Sequence, residues 1–136
     1  EAAERRRGLI AEVKAGHYRK VIDGLFEKFV HPSRANDARL KQIVLDMADD
    51  VGPDAFVWQL EAIMGRADSR PTLATITCPT LVLTCDTDNM VPQEASVEMA
   101  NAIAGAKFVK IPDCGHLPQL EKPAAMSEAL LDWLEM

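Results

Sequence analysis

The chain has 136 residues, 48% hydrophobic and 26% charged, with a formal net charge of −6 and a pI near 5.0. That is enough chain for one domain with a core. It carries no basic stripe of the kind a nucleic-acid surface needs, and no apolar run approaches the roughly 20 residues of a membrane span.

Residues 1–68 read as helix throughout. Leu9, Ile10 and Val13 mark a first helix closed by Gly16. The basic cluster Arg5-Arg6-Arg7 lies on it between Glu4 and Glu12 and is expected to be a solvated face. Tyr18, Val21, Ile22, Leu25, Phe26, Phe29 and Val30 follow the spacing of one apolar helical face, ended by His31-Pro32. Leu40, Ile43, Val44, Met47, Ala48 and Val51 repeat it up to Gly52. Pro53 then sits at a helix start, and Phe56, Val57, Leu60, Ile63 and Met64 give a fourth stripe. Four short-linked amphipathic helices are therefore expected. Phe26, Phe29, Phe56, Met47 and Met64 are expected in the core. Trp58 lies off its stripe and is the member of this aromatic and methionine set expected to contact a substrate or the part of the core outside these residues.

Residues 69–79, with two prolines and no clear period, read as a linker. The period then changes. Thr80–Cys85 is a continuous apolar run rich in β-formers, as in a strand buried on both faces. Pro92 opens a helix with Glu94 in its first turn, and Gly105 ends it. Lys107–Ile111 is a second strand, and Pro123 opens a last helix with the face Met126, Ala129, Leu130, Trp133 and Leu134. Strand, helix and strand in this length make a parallel crossover unit, so the fold class is α/β. Two strands alone make a weak sheet. Further strands outside this sequence, or self-association through the uncovered strand 80–85 or by helix exchange, are expected to cover its edge.

Ligands in open α/β sheets bind beyond the carboxyl ends of the strands. Cys85-Asp86-Thr87-Asp88 follows the first strand there, and Pro112-Asp113-Cys114-Gly115-His116 follows the second. Adjacent strands are about 5 Å apart, so Asp88 and His116 can meet, the carboxylate fixing the tautomer of an imidazole that moves protons. Asp86 is the second candidate for the acid. Asp113 reads as a turn residue, and Gly115 is expected to let the chain turn sharply. Cys114 is read as a packed thiol, not a nucleophile, and Cys78 and Cys85 as buried small hydrophobes. Three cysteines without metal-ligand spacing fit reduced thiols in a cytoplasmic protein. His17 and His31 are expected to be surface or capping groups, and Glu121 to steady the start of the last helix by its charge. None of Ser33, Ser69, Ser96 and Ser127 lies in a strand–turn–helix elbow, so none is a candidate nucleophile.

Leu81, Val82, Leu83, Asp88 and Pro92, followed after the next helix and strand by Gly115, His116, Glu121 and Pro123, form a pattern that resembles the C-terminal half of an α/β-hydrolase-fold enzyme. The four helices resemble the cap such enzymes insert before their last two core strands. The resemblance implies a partial α/β-hydrolase fold: a helical cap at 1–68, a linker at 69–79 and the end of the core at 80–136. It implies Asp88 as triad acid and His116 as base. Cys85 stands where the family usually has Gly. The family's nucleophile elbow, Gly-x-Ser-x-Gly, and its oxyanion-hole segment are absent and are expected N-terminal to Glu1, leaving this chain inactive by itself. The parent is expected to hydrolyse a small ester, lactone or similar carbonyl substrate, with no cofactor and no metal. In wording the motifs stand nearest the enol-lactonase and small-esterase group. Trp58 and Leu117, the latter next to His116, are the substrate-lining candidates. The alternative function is a non-catalytic helical interaction module with hydrolase-like remnants, which predicts no dependence of any activity on Asp88 or His116.

Overall fold

The computed structural model describes residues 2–135. They form two compact units, residues 2–26 with 36–67, and residues 27–35 with 68–135. The first is all helical. It contains α1 (Ala2–Lys14), most of α2 (Tyr18–Phe29) and α3 (Ala38–Gly65). Asp37 caps α3, its carboxylate accepting from the Leu40 N–H at 2.9 Å. The third and fourth helices expected from the sequence are two arms of α3, broken at Gly52, whose φ of 78° and ψ of 163° suit no residue with a side chain. Pro53 follows at the start of the second arm, where its missing N–H costs nothing.

The apolar stripes meet as the spacing predicts. Ile10, Val13 and Val57 form a buried cluster edged by Tyr18, Val21, Phe56, Leu60 and Met64. The Tyr18 ring meets Phe56 edge-on at 5.6 Å, and its hydroxyl donates to the Ala48 carbonyl at 2.6 Å. The stripe of α3 is not buried along its whole length. Met47, expected in the core, is 52% exposed, and Val51 and Ile63 are also exposed. Periodicity fixes which face is apolar, but a face is buried only where another element lies on it.

The second unit carries the sheet. β1 (Leu81–Cys85) and β2 (Lys107–Ile111) pair in parallel from Leu81 opposite Lys107 to Cys85 opposite Ile111, joined by α4 (Gln93–Ala102). These are the two expected strands with the expected direction. Among the described residues the sheet has no third strand. A short helix α5 (Pro118–Glu121) precedes α6 (Pro123–Leu134), which opens at the expected proline. Cys85, Ile111 and Cys114 are buried together beneath Leu83, Val109, Ala125 and Met126. On α6, Ala129 is buried, while Leu130, Leu131 and Leu134 remain exposed.

Two expectations change here. The linker contains a 3₁₀ helix, Arg70–Thr75, held by Thr72 and Thr75 hydroxyls that donate to carbonyls three residues back. Cys78 is exposed, because it lies before β1 and shares none of that strand's burial.

Candidate active site

The pairing of β1 and β2 runs on past both strand ends. The Asp86 N–H donates to the Ile111 carbonyl at 3.2 Å and the Thr87 N–H to the Cys114 carbonyl at 3.1 Å. Two turns that are remote in sequence are thereby set side by side. Out of the first comes Asp88 and out of the second comes His116, with Asp88 Oδ2 2.9 Å from His116 Nδ1.

Asp88 is held by its own turn. Its Oδ1 accepts from the backbone N–H groups of Met90 at 2.7 Å and Val91 at 3.0 Å, which leaves Oδ2 aimed at the imidazole. The side chain is 12% exposed. Burial pushes its carboxyl up, but the hydrogen bond with His116 and the two backbone donors outweigh that and hold it below the ordinary value. An ionised carboxylate only accepts hydrogen bonds, so the Nδ1 of His116 is the donor in this contact, and the tautomer it selects has its lone pair on Nε2. The imidazole is 37% exposed and thus open to a reacting group, and the Phe29 ring lies beside it at 6.2 Å.

The loop that carries His116 is fastened at four successive amides. The Asp113 and Cys114 N–H groups donate to the two oxygens of Asp86, at 3.0 and 3.2 Å. The Gly115 N–H donates to Glu121 Oε1 at 2.9 Å, and the His116 N–H to the Phe29 carbonyl at 2.7 Å. Asp86 is therefore not the acid that faces His116. Its carboxyl is held low chiefly by those two backbone donors. Asp113 turns the chain, with a φ of 51° that Asp tolerates better than most side chains. The turn expected of Gly115 is therefore made by Asp113. Gly115 is needed for a different reason: a Cβ there would lie 2.5 Å from the Val30 carbonyl carbon and 2.6 Å from the His31 nitrogen.

Glu121 has a role in the loop that its sequence position does not announce. It lies two residues before α6, but it is buried, and its hydrogen bonds go elsewhere: it accepts from the backbone of Gly115 and, through Oε2, from the His31 N–H at 2.7 Å. Cys114 and Cys85 are buried, and burial pushes both thiols up, which keeps them neutral and packed. The His31 ring caps the short helix after it by accepting from the Ser33 N–H, and His17 meets Glu12 at 2.9 Å on the surface. Leu117 follows His116 and is half-buried. Trp58 is 66% exposed in the helical unit, in a groove of about 430 Å³ lined by Val13, Lys14, Pro53, Asp54, Val57 and Glu61. Among the described residues no cluster of His, Cys, Asp and Glu is arranged to hold a metal ion.

The sequence model described as the alpha/beta hydrolase family matches residues 2–129. The chain belongs to that family. Its sequence is similar to a 2-hydroxy-6-oxononadienedioate/2-hydroxy-6-oxononatrienedioate hydrolase of Klebsiella pneumoniae, 34% identical over 82 residues that make up 60% of this chain and 28% of that protein. It is also similar to bifunctional epoxide hydrolase 2 of Sus scrofa, 38% identical over 60 residues, 44% of this chain and 11% of that one. Its structure resembles a thermophilic esterase from Thermogutta terrifontis with malate bound, with a TM-score of 0.89 and 29% identity over 99% of this chain and 50% of the esterase. The fold is shared with the enol-lactonase from Burkholderia xenovorans, with a TM-score of 0.87 and 22% identity over 98% of this chain and 51% of that chain. This α/β-hydrolase chain thus spans about half the length of the solved structures it matches, and less of the curated relatives.

Proposed function

We propose that these residues supply the acid and the base of a hydrolase acting on a small ester, lactone or similar carbonyl compound. The nucleophile, a serine, comes from residues outside the 136. The observation that supports this reading best is the 2.9 Å contact from Asp88 Oδ2 to His116 Nδ1, with Asp88 Oδ1 tied to Met90 and Val91 and both turns at the carboxyl ends of parallel strands.

The chemistry follows from that contact. Nε2 of His116 takes the proton of the serine hydroxyl as the oxygen bonds to the substrate carbonyl carbon. The imidazolium that forms is stabilised by the Asp88 carboxylate, which stays ionised. His116 then gives the same proton to the departing alcohol or enol oxygen, and the acyl group stays on the serine. A water attacks that ester, its proton passing to Nε2 and on to the serine oxygen as the acid product leaves. Asp88 selects the tautomer throughout and never needs to accept the proton itself.

The test is turnover of a p-nitrophenyl ester by the full reading frame with and without His116→Ala. A loss on the order of 10³-fold or more is expected for removal of a triad base. Unchanged turnover in a folded variant would reject the hydrolase reading and favour a non-catalytic helical module.

A further inference from the structure

We infer that Glu121 is a positioning residue for His116: its buried carboxylate ties the loop carrying the imidazole to the segment Phe29–His31, and so sets where Nε2 points. The inference rests on the catalytic reading of the Asp88–His116 pair, but its geometry stands on other residues. Glu121 is 6% exposed and lies in a four-residue helix. Each of its oxygens has one backbone donor, Oε1 the Gly115 N–H at 2.9 Å and Oε2 the His31 N–H at 2.7 Å. The neighbouring His116 N–H donates to the Phe29 carbonyl at 2.7 Å, so three hydrogen bonds close a ring of contacts around the imidazole-bearing residue. That ring is closed only because Gly115 has no Cβ to hold the Val30 and His31 backbone away.

The chemistry of the clamp demands a carboxylate. Two N–H groups converge on one side chain, and both need an acceptor. A glutamine offers one carbonyl oxygen, and its NH₂ would confront the second donor. An aspartate keeps the charge but is one methylene too short to span both. A buried charge is costly unless it is hydrogen-bonded, and Glu121 spends both oxygens on the backbone of the His116 loop and its neighbour. Asp88 fixes the ring from the Nδ1 side; Glu121 fixes the main chain from which the ring hangs.

Three measurements on the full-length protein decide this. Glu121→Gln, with its fold checked by circular dichroism, is expected to lower kcat about 10- to 100-fold, the cost of a base displaced by a fraction of an ångström to an ångström. KM should stay within about threefold, because no substrate contact is removed. Glu121→Asp should fall between the two. A downfield Nδ1–H proton resonance of His116 is expected in the wild type from its 2.9 Å contact with Asp88, and it should broaden or vanish in Glu121→Gln, which a merely structural loss of stability in a still-folded protein would not produce. Wild-type kcat together with an intact resonance in that variant overturns the inference. If neither variant folds, hydrogen exchange of the wild type decides: the Gly115 and His31 amides should exchange slowly and together. Exchange of either at the rate of an open loop overturns the clamp. Should His116→Ala leave turnover unchanged, the catalytic reading fails by itself, and resonance and exchange still judge the clamp.

Discussion

The two turns that make the site are built on different plans. The acid turn is local: Asp88 is fixed by amides two and three residues further along, so the segment organises its own carboxylate. The His116 loop borrows almost everything. Its amides reach Asp86 across 27 and 28 residues, Glu121 across six, and Phe29 in a distant part of the chain, while its glycine is demanded by the backbone of Val30 and His31. A self-sufficient turn keeps its shape when its surroundings change. A borrowed one moves when any lender does, which makes the placement of His116 sensitive to remote substitutions.

Asp88→Asn separates the two plans most sharply. Its Oδ1 can still accept from Met90 and Val91, so the turn should survive, but an NH₂ replaces the oxygen that accepts from Nδ1 and forces the wrong tautomer. A fall in kcat on the order of 10⁴-fold in a still-folded variant is expected in the full-length protein. Activity within about tenfold of wild type would show that orientation of His116 comes from the loop alone.

Gly115→Ala attacks the borrowed side. The new Cβ meets backbone atoms of Val30 and His31, not flexible side-chain ends. A loss of about 1–3 kcal/mol on urea unfolding is expected, as for other overpacked sites, together with reduced turnover. An unchanged midpoint would mean that the loop can be displaced freely.

The smallest effect is the pH dependence of the acid turn. The Asp88 carboxyl is held below its unfolded value, which is about 3.9. Such a group adds stability above the unfolded value and loses it as pH falls through the lower, folded value. The part of the stability advantage of wild type over Asp88→Asn that comes from this carboxylate should therefore shrink as the pH drops below about 4. A difference that stays flat down to strongly acidic pH would mean the carboxylate gains nothing from its partners.

Much of this was legible in the chain. The apolar periods of 3.6 and then of near-continuous β-formers place the helices, both strands and their order, and the prolines at 53 and 123 mark helix starts as read. Asp88 and His116 could be paired from sequence because short parallel strands of matched length must deliver the residues after them to one edge. Glu121 and Asp86 were visible as acidic residues near the motif, yet their partners are main-chain amides, which leave no trace in side-chain identity. Met47 and Cys78 were misplaced for the opposite reason: their apolar character was read correctly, but burial needs a neighbour that local pattern does not name.

Local physical chemistry, acting over a few residues, determined the elements, their polarity and the two titratable groups at the strand ends. Tertiary structure alone decided which amide meets which carboxylate, why residue 115 must lack a Cβ, and where the imidazole points. Those depend on backbone atoms brought together across tens of residues, and the energy of such a meeting is written in geometry that no short stretch of sequence contains.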